Sequence, residues 1–88
     1  MRILVVDDEK NIRRSFSAAL ESMDHATTCA STSAAALSEL RAQSFDVVLL
    51  DLKLAHENGL DVLEEIVRIA PQASVVMVTA YASIETAV

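Results

Sequence analysis

Two unbroken apolar runs, each ending in aspartate, constrain the fold of this chain more than any other feature. Residues 3–6 (ILVV) run directly into Asp7 and Asp8, and residues 47–50 (VVLL) end at Asp51. Apolar runs without alternation are typical of strands covered on both faces, as in parallel sheets. Because the carboxyl ends of parallel strands lie at one edge of a sheet, we expect the three carboxylates to converge there.

The rest of the chain alternates helical and strand patterns. Apolar residues at helical spacing predict one helix over residues 10–23 and another after the Asn58-Gly59 turn, ended by Pro71. The other elements are a more polar strand at 25–30, an Ala-rich helix at 34–43 capped by a hydroxyl of the preceding STS, a buried strand at 74–80 and a helix start from residue 83. This order predicts an α/β fold, with helices on both faces of a doubly wound parallel sheet.

Two finer predictions concern which side chains are buried. The third helix is expected to pack on the sheet through one apolar face, formed by Leu60, Leu63, Ile66, Val67 and Ala70. Cys29 is expected to be a small buried hydrophobe. Arg13 and Arg14 are assigned to a solvated helix face, with docking of another protein as the alternative.

Length and charge bound the possible functions. A chain of 88 residues supports one small domain, and its net charge of −6 disfavours direct contact with nucleic acid or an anionic membrane by this segment. The single Cys29 excludes an internal disulfide, no apolar run approaches the ~20 residues of a membrane span, and the N-terminus does not resemble a signal peptide. A cytoplasmic location is predicted.

The three carboxylates repel one another at short distance, so their convergence requires a physical explanation. Like charges at short distance disfavour joint ionisation, and a divalent cation removes that penalty. Mg²⁺ prefers hard oxygen ligands and typically binds one or two carboxylates together with phosphate oxygens. The acids therefore predict a metal-assisted phosphoryl site. The competing interpretations are an acidic helix start at Asp7 and Asp8, favoured by the macrodipole, and a turn residue at Asp51.

Three motifs together resemble the receiver domains of two-component response regulators: VVDDE after the first strand, DVVLLDLKLAHENGLDVL around the third, and VVMVTAYASIETAV at the end. The resemblance implies the flavodoxin-like (CheY-like) fold, with four strands in the order 2-1-3-4. It also implies that Asp51 is the phosphoacceptor and that Asp7, Asp8, Asp51 and the backbone carbonyl of Lys53 bind Mg²⁺. Thr79 would be the hydroxyl that senses the phosphoryl group, with the small Ala80 beside it.

The resemblance further implies partners and domain limits. The phosphoryl donor would be a sensor histidine kinase, and the receiver would control an output domain in the full-length protein. The last motif is most similar to receivers of nitrogen-regulator-type sigma-54 activators, which points to transcription. Residues 1–88 would form a partial receiver domain, from the first strand to the start of the fourth helix, without the family's fifth strand, its fifth helix and the lysine they carry. The fourth strand is then expected to pair with another chain, as a homodimer or by segment exchange.

Two other functions stay open at this point. A receiver-like interaction module that works without phosphorylation would need none of the acids, whereas a small hydrolase would turn over a phosphate ester. The stretch DLKL lacks the second aspartate of a D-x-D phosphatase motif, which disfavours the hydrolase. The chain is therefore predicted to be a phosphoacceptor rather than an enzyme. The loop after Asp51 carries Ala55 where receivers usually have proline.

Overall fold

The computed structural model describes residues 1–54 and 57–78. Its elements, in chain order, are β1 (Arg2–Val6), α1 (Lys10–Ser22), β2 (Ala26–Ala30), α2 (Ser33–Ala42), β3 (Val47–Asp51), β4 (Lys53–Leu54), β5 (Glu57–Asn58), α3 (Gly59–Ile69) and β6 (Ser74–Val78). Ala55, His56 and residues 79–88 lie outside the described residues, so the predictions for Ala55, Thr79, Ala80 and the last helix have no structural counterpart here. No helix among the described residues is long and apolar enough to cross a membrane.

The four longer strands form one parallel sheet in the order β2-β1-β3-β6. This is the predicted order 2-1-3-4, because β6 is the fourth long strand of the chain. The sequence did not predict the antiparallel pair β4-β5, in which Lys53 pairs with Asn58 and Leu54 with Glu57. Strands of two residues are too short to show a periodic pattern. The pair lies directly after Asp51 and therefore shapes the loop beside the predicted site.

The main hydrophobic cluster lies on the side of the sheet that α2 and α3 cover, while Ile3 and Val5 of β1 are buried on the opposite face. Its buried members are Leu4, Val6, Ala30, Ala36, Leu40, Phe45, Val48, Leu50, Leu54, Val62, Ile66 and Ala70. The prediction for α3 was partly wrong, since Leu60 and Val67 are exposed while Val62 is buried. Buried residues at 59, 62 and 66 follow helical spacing, so α3 is rotated relative to the predicted face.

Helix α1 covers the opposite side of the sheet, next to β1 and β2, and none of its residues is fully buried. Phe16 and Leu20 are half-buried, and Met23, just after the helix, is 58% exposed. Cys29 on the outer strand β2 is exposed, contrary to the prediction, and its Sγ lies 3.1 Å from Oγ of Ser17. The predicted position of this helix on the sheet is thus confirmed, but its apolar side chains are only partly buried.

Side-chain caps fix the starts of α2 and α3. The Thr32 hydroxyl accepts a hydrogen bond from the Ala35 amide at 3.1 Å, which identifies the capping residue of the STS stretch. Asn58 Oδ1 accepts from the Leu60 amide at 2.9 Å, so Asn58 caps α3 and Gly59 is its first residue. A hydrogen bond from a capping side chain therefore defines where each of these helices begins.

Candidate functional site

Three carboxylates meet at the carboxyl edge of the central strands. Asp7 follows β1 and Asp51 ends β3, and these strands are neighbours in the sheet. One oxygen from each of Asp7, Asp8 and Asp51 lies within 4.8 Å of the others. Asp7 is 5% exposed and Asp51 is 8% exposed, whereas Asp8 is exposed to solvent. The predicted convergence of the acids is therefore present in the structure.

The two buried aspartates are held by the same local arrangement. Oδ1 of Asp7 accepts a hydrogen bond from the Glu9 amide at 2.9 Å, and Oδ1 of Asp51 accepts from the Lys53 amide at 3.1 Å. Each carboxylate thus binds the amide two residues further on, which is the turn chemistry typical of aspartate. A carboxylate oxygen has capacity beyond one such bond, and each group has a second oxygen. The turns orient both carboxylates and leave them able to accept more.

The environment of Asp51 favours its neutral form. Burial raises the pKa of this carboxyl by removing water from the charged form, and the charges of Asp7, Asp8 and Glu9 raise the pKa further. The hydrogen bond from the Lys53 amide lowers the pKa but does not cancel these effects. Ionised Asp51 is consequently a strained charge that gains from a nearby cation.

Leu52, the residue after Asp51, forms backbone hydrogen bonds to both β6 and α3. The Leu52 amide donates to the Val78 carbonyl at 2.9 Å, and the Leu52 carbonyl accepts from the Gly59 amide at 3.0 Å. A Cβ atom at Gly59 would lie 2.3 Å from that same carbonyl oxygen, a distance that no side chain tolerates. Glycine is thus required here so that the start of α3 can approach Leu52.

The donor set fits a hard divalent cation. It consists of carboxylate oxygens alone, two of them on buried groups, and Mg²⁺ favours such ligands. Lys53 lies in β4, two residues past Asp51, so its backbone is beside the cluster, although the predicted role of its carbonyl stays a prediction. Thr79 lies outside the described residues. The structure therefore brings together three of the predicted site residues and places a fourth next to them.

Sequence reasoning missed one residue of this site. Arg13, which had been assigned to a solvated face, is half-buried, and its Nη1 donates to the backbone carbonyl of Asp7 at 2.8 Å. The available signal was its position in the first turns of the helix that follows Asp7, from where a long side chain can reach back to the strand end.

Comparison with known proteins adds independent findings. The response regulator receiver domain family matches residues 3–88. The alginate biosynthesis transcriptional regulatory protein AlgB of Pseudomonas putida is 46% identical over 87 residues, which cover 99% of this chain and 19% of AlgB. The chain thus spans about a fifth of the length of this relative.

Two solved structures share the fold over nearly the whole chain. A response regulator from Burkholderia pseudomallei, with a phosphorylated aspartic acid, a calcium ion and citrate, has a TM-score of 0.87 and 29% identity, covering 97% of this chain and 50% of that one. TrrA of Thermotoga maritima, in complex with Mg²⁺-BeF, has a TM-score of 0.84 and 33% identity, covering 97% and 74%. Both of these similar proteins hold a divalent cation.

Proposed function

Because this chain belongs to the response regulator receiver domain family, we propose that it accepts a phosphoryl group on Asp51 from the phosphohistidine of a sensor histidine kinase. The observation that carries this proposal is the buried carboxylate of Asp51, within 4.8 Å of the carboxylates of Asp7 and Asp8. A nucleophile of this kind gains most from fixed orientation and charge neutralisation, which phosphoryl transfer mainly requires.

The proposed step forms one bond and breaks one. An Asp51 oxygen attacks phosphorus, the new O–P bond gives an acyl phosphate, and the P–N bond to the donor imidazole breaks with its electron pair returning to the ring. Since Oδ1 is held by the Lys53 amide, Oδ2 is the oxygen that we assign to the attack. The residue that changes state is Asp51 itself, so the chain acts as a phosphoacceptor rather than as an enzyme with turnover.

Asp7, Asp8 and Asp51, with the carbonyl of Lys53, are the proposed ligands of Mg²⁺. When bound, this ion supplies positive charge that neutralises the carboxylates and the incoming phosphoryl oxygens. The short spacing of the carboxylates and the raised pKa of Asp51 support this assignment. The Mg²⁺ and Ca²⁺ ions named for the two similar structures support the choice of a hard divalent cation.

The proposal extends to the protein of which a receiver would be a part. Residues 1–88 are proposed as one partial receiver domain in the cytoplasm, and the relative AlgB, a transcriptional regulator, supports an output domain that acts on transcription. The resemblance to sigma-54 activators is part of this proposal. Thr79, directly after Val78, is the proposed sensor of the phosphoryl group. Because the Leu52 amide binds the Val78 carbonyl, Asp51 and the end of β6 are joined through one intervening residue.

The experiment is incubation of the full-length protein, which would supply the lysine that residues 1–88 are expected to lack, with acetyl phosphate and Mg²⁺, followed by intact-mass analysis. Wild type should gain the mass of one phosphoryl group, and Asp51→Asn should gain none. Asp46→Asn is the matched control, because Asp46 is an exposed aspartate at the opposite end of β3. Equal labelling of wild type and Asp51→Asn would refute the assignment. No labelling of wild type would favour the interaction module that works without phosphorylation.

We also propose that copies of the chain associate through β6. This strand is the outer strand of the described sheet, it contains mainly β-branched residues, and Val76 is 48% exposed. Such an edge is a template for strand pairing. Sedimentation should show concentration-dependent dimers that Val76→Lys abolishes, since an edge lysine opposes pairing. A monomeric wild type at ~100 μM, a concentration high enough for weak interfaces, would contradict this proposal.

A further inference from the structure

Arg13 holds the loop of residues 7–9, which links β1 to α1 and carries Asp7 and Asp8. Its guanidinium Nη1 donates to the backbone carbonyl of Asp7 at 2.8 Å, and the side chain is half-buried. Its own amide donates to the Glu9 carbonyl at 3.1 Å, so the same residue contacts the loop through side chain and backbone. The short link between β1 and α1 is therefore tied to the first turns of the helix.

The remaining bonds of Asp7 show how much depends on this contact. The Asp7 amide donates to the Ala30 carbonyl at 3.1 Å, and Oδ1 accepts from the Glu9 amide at 2.9 Å. The Asp7 carbonyl belongs to the peptide that leads into Asp8. A charged donor makes a stronger hydrogen bond than a neutral one. Arg13 is thus one group that holds the Asp7-Asp8 peptide in a fixed orientation.

We propose that Arg13 is a positioning residue for the divalent cation: by holding the Asp7-Asp8 peptide, it directs both carboxylates towards Asp51. This inference rests on the proposed function of the acid cluster as a metal site. It differs from a purely electrostatic role, because a nearby positive charge alone would weaken cation binding. The sign of the effect on affinity therefore separates the two roles.

The test measures binding of Mn²⁺ by its paramagnetic resonance signal, at constant ionic strength, for wild type, Arg13→Gln, Arg13→Lys and the control Arg14→Gln. Arg14 is exposed on the same helix, so its substitution removes the same charge from that helix. Loss of a group that orients metal ligands typically costs ~10–100-fold in affinity. Arg13→Gln should bind at least about tenfold more weakly than wild type. Arg13→Lys, which can still donate to one carbonyl, should recover part of the loss.

Two results of this binding experiment would overturn the inference. Tighter binding by Arg13→Gln would show that the charge matters and the orientation does not. Equal affinities of Arg13→Gln and Arg14→Gln would show that the contact with Asp7 has no role in binding.

A metal-free measurement separates this inference from the proposed function. Amide hydrogen exchange at Glu9 reports the order of the loop, because that amide is bonded to Asp7. We expect faster exchange in Arg13→Gln and unchanged exchange in Arg14→Gln. If wild type binds no Mn²⁺, the metal site fails, whereas unchanged Glu9 exchange in Arg13→Gln contradicts the positioning role itself. Circular dichroism of each variant checks that the sheet and helices are retained.

Discussion

The Lys53 amide donates a hydrogen bond to Oδ1 of Asp51 at 3.1 Å, and this one favourable contact opposes burial and three neighbouring acids. The balance leaves the pKa of Asp51 raised. The strand end that the sequence marks as reactive is therefore also a point where the fold stores electrostatic strain.

Asp51→Asn should stabilise the protein without Mg²⁺. A raised native pKa means that the neutral carboxyl stabilises the fold; this contribution is lost as pH rises through the unfolded value of ~3.9 and then through the native value. At pH 7 we expect a higher Tm than wild type, by a margin that shrinks in acid. Thermal unfolding of both proteins at pH 7 and at a pH below ~3.9 measures this difference in Tm. A gain that is the same for Glu64→Gln on α3 would point to net charge instead of the cluster.

Mg²⁺ should stabilise wild type more than either Asp8→Asn or Asp51→Asn. A ligand at a hundredfold excess over its Kd stabilises the native state by about 2.7 kcal/mol, and each substitution removes a proposed ligand. The measurement is Tm against MgCl₂, with NaCl of equal ionic strength as the reference. Glu64→Gln should keep the full response. Parallel curves for all four proteins would argue against a site at these carboxylates.

Gly59→Ala should destabilise the protein. Its Cβ would meet the Leu52 carbonyl oxygen at 2.3 Å, so the start of α3 must shift. Overpacking of this kind typically costs about 1–3 kcal/mol. Urea unfolding should show the loss of stability. We also expect weaker cation binding, because Leu52 follows Asp51 directly. Leu60→Ala, at an exposed neighbouring position, should change stability little. A Gly59→Ala protein of wild-type stability would mean that α3 begins farther from Leu52.

Thr32→Ala should lower stability by about 1 kcal/mol through loss of the α2 cap. The Thr32 hydroxyl accepts from the Ala35 amide, and serine can make the same bond. Thr32→Ser should therefore stay close to wild type in urea unfolding. Both variants should keep the Mg²⁺ response, since this helix end contributes no carboxylate to the cluster. If serine were as destabilising as alanine, the hydroxyl contact would not be the cause.

Most of the architecture could be predicted because burial on both faces of a parallel sheet leaves a visible mark in sequence. The runs before Asp7 and Asp51 fixed both strands and brought the acids to one edge. The pair β4-β5 could not be predicted, since two residues show no period. The rotation of α3 was missed because Leu60 and Val67 are as apolar as Val62, and only neighbouring elements decide which of them is covered. Arg13 was missed because a charged residue on an amphipathic helix is normally solvated.

The unequal burial of the helices on the two faces of the sheet has a consequence for how this molecule moves. Helices α2 and α3 contribute side chains to the buried cluster, whereas α1 lies on the other face and has no fully buried residue. Elements with few buried contacts open at the lowest free-energy cost. Among the three described helices, α1 is thus the one that we expect to open at the lowest free-energy cost, and because Arg13 belongs to it, the loop with Asp7 and Asp8 would open with it.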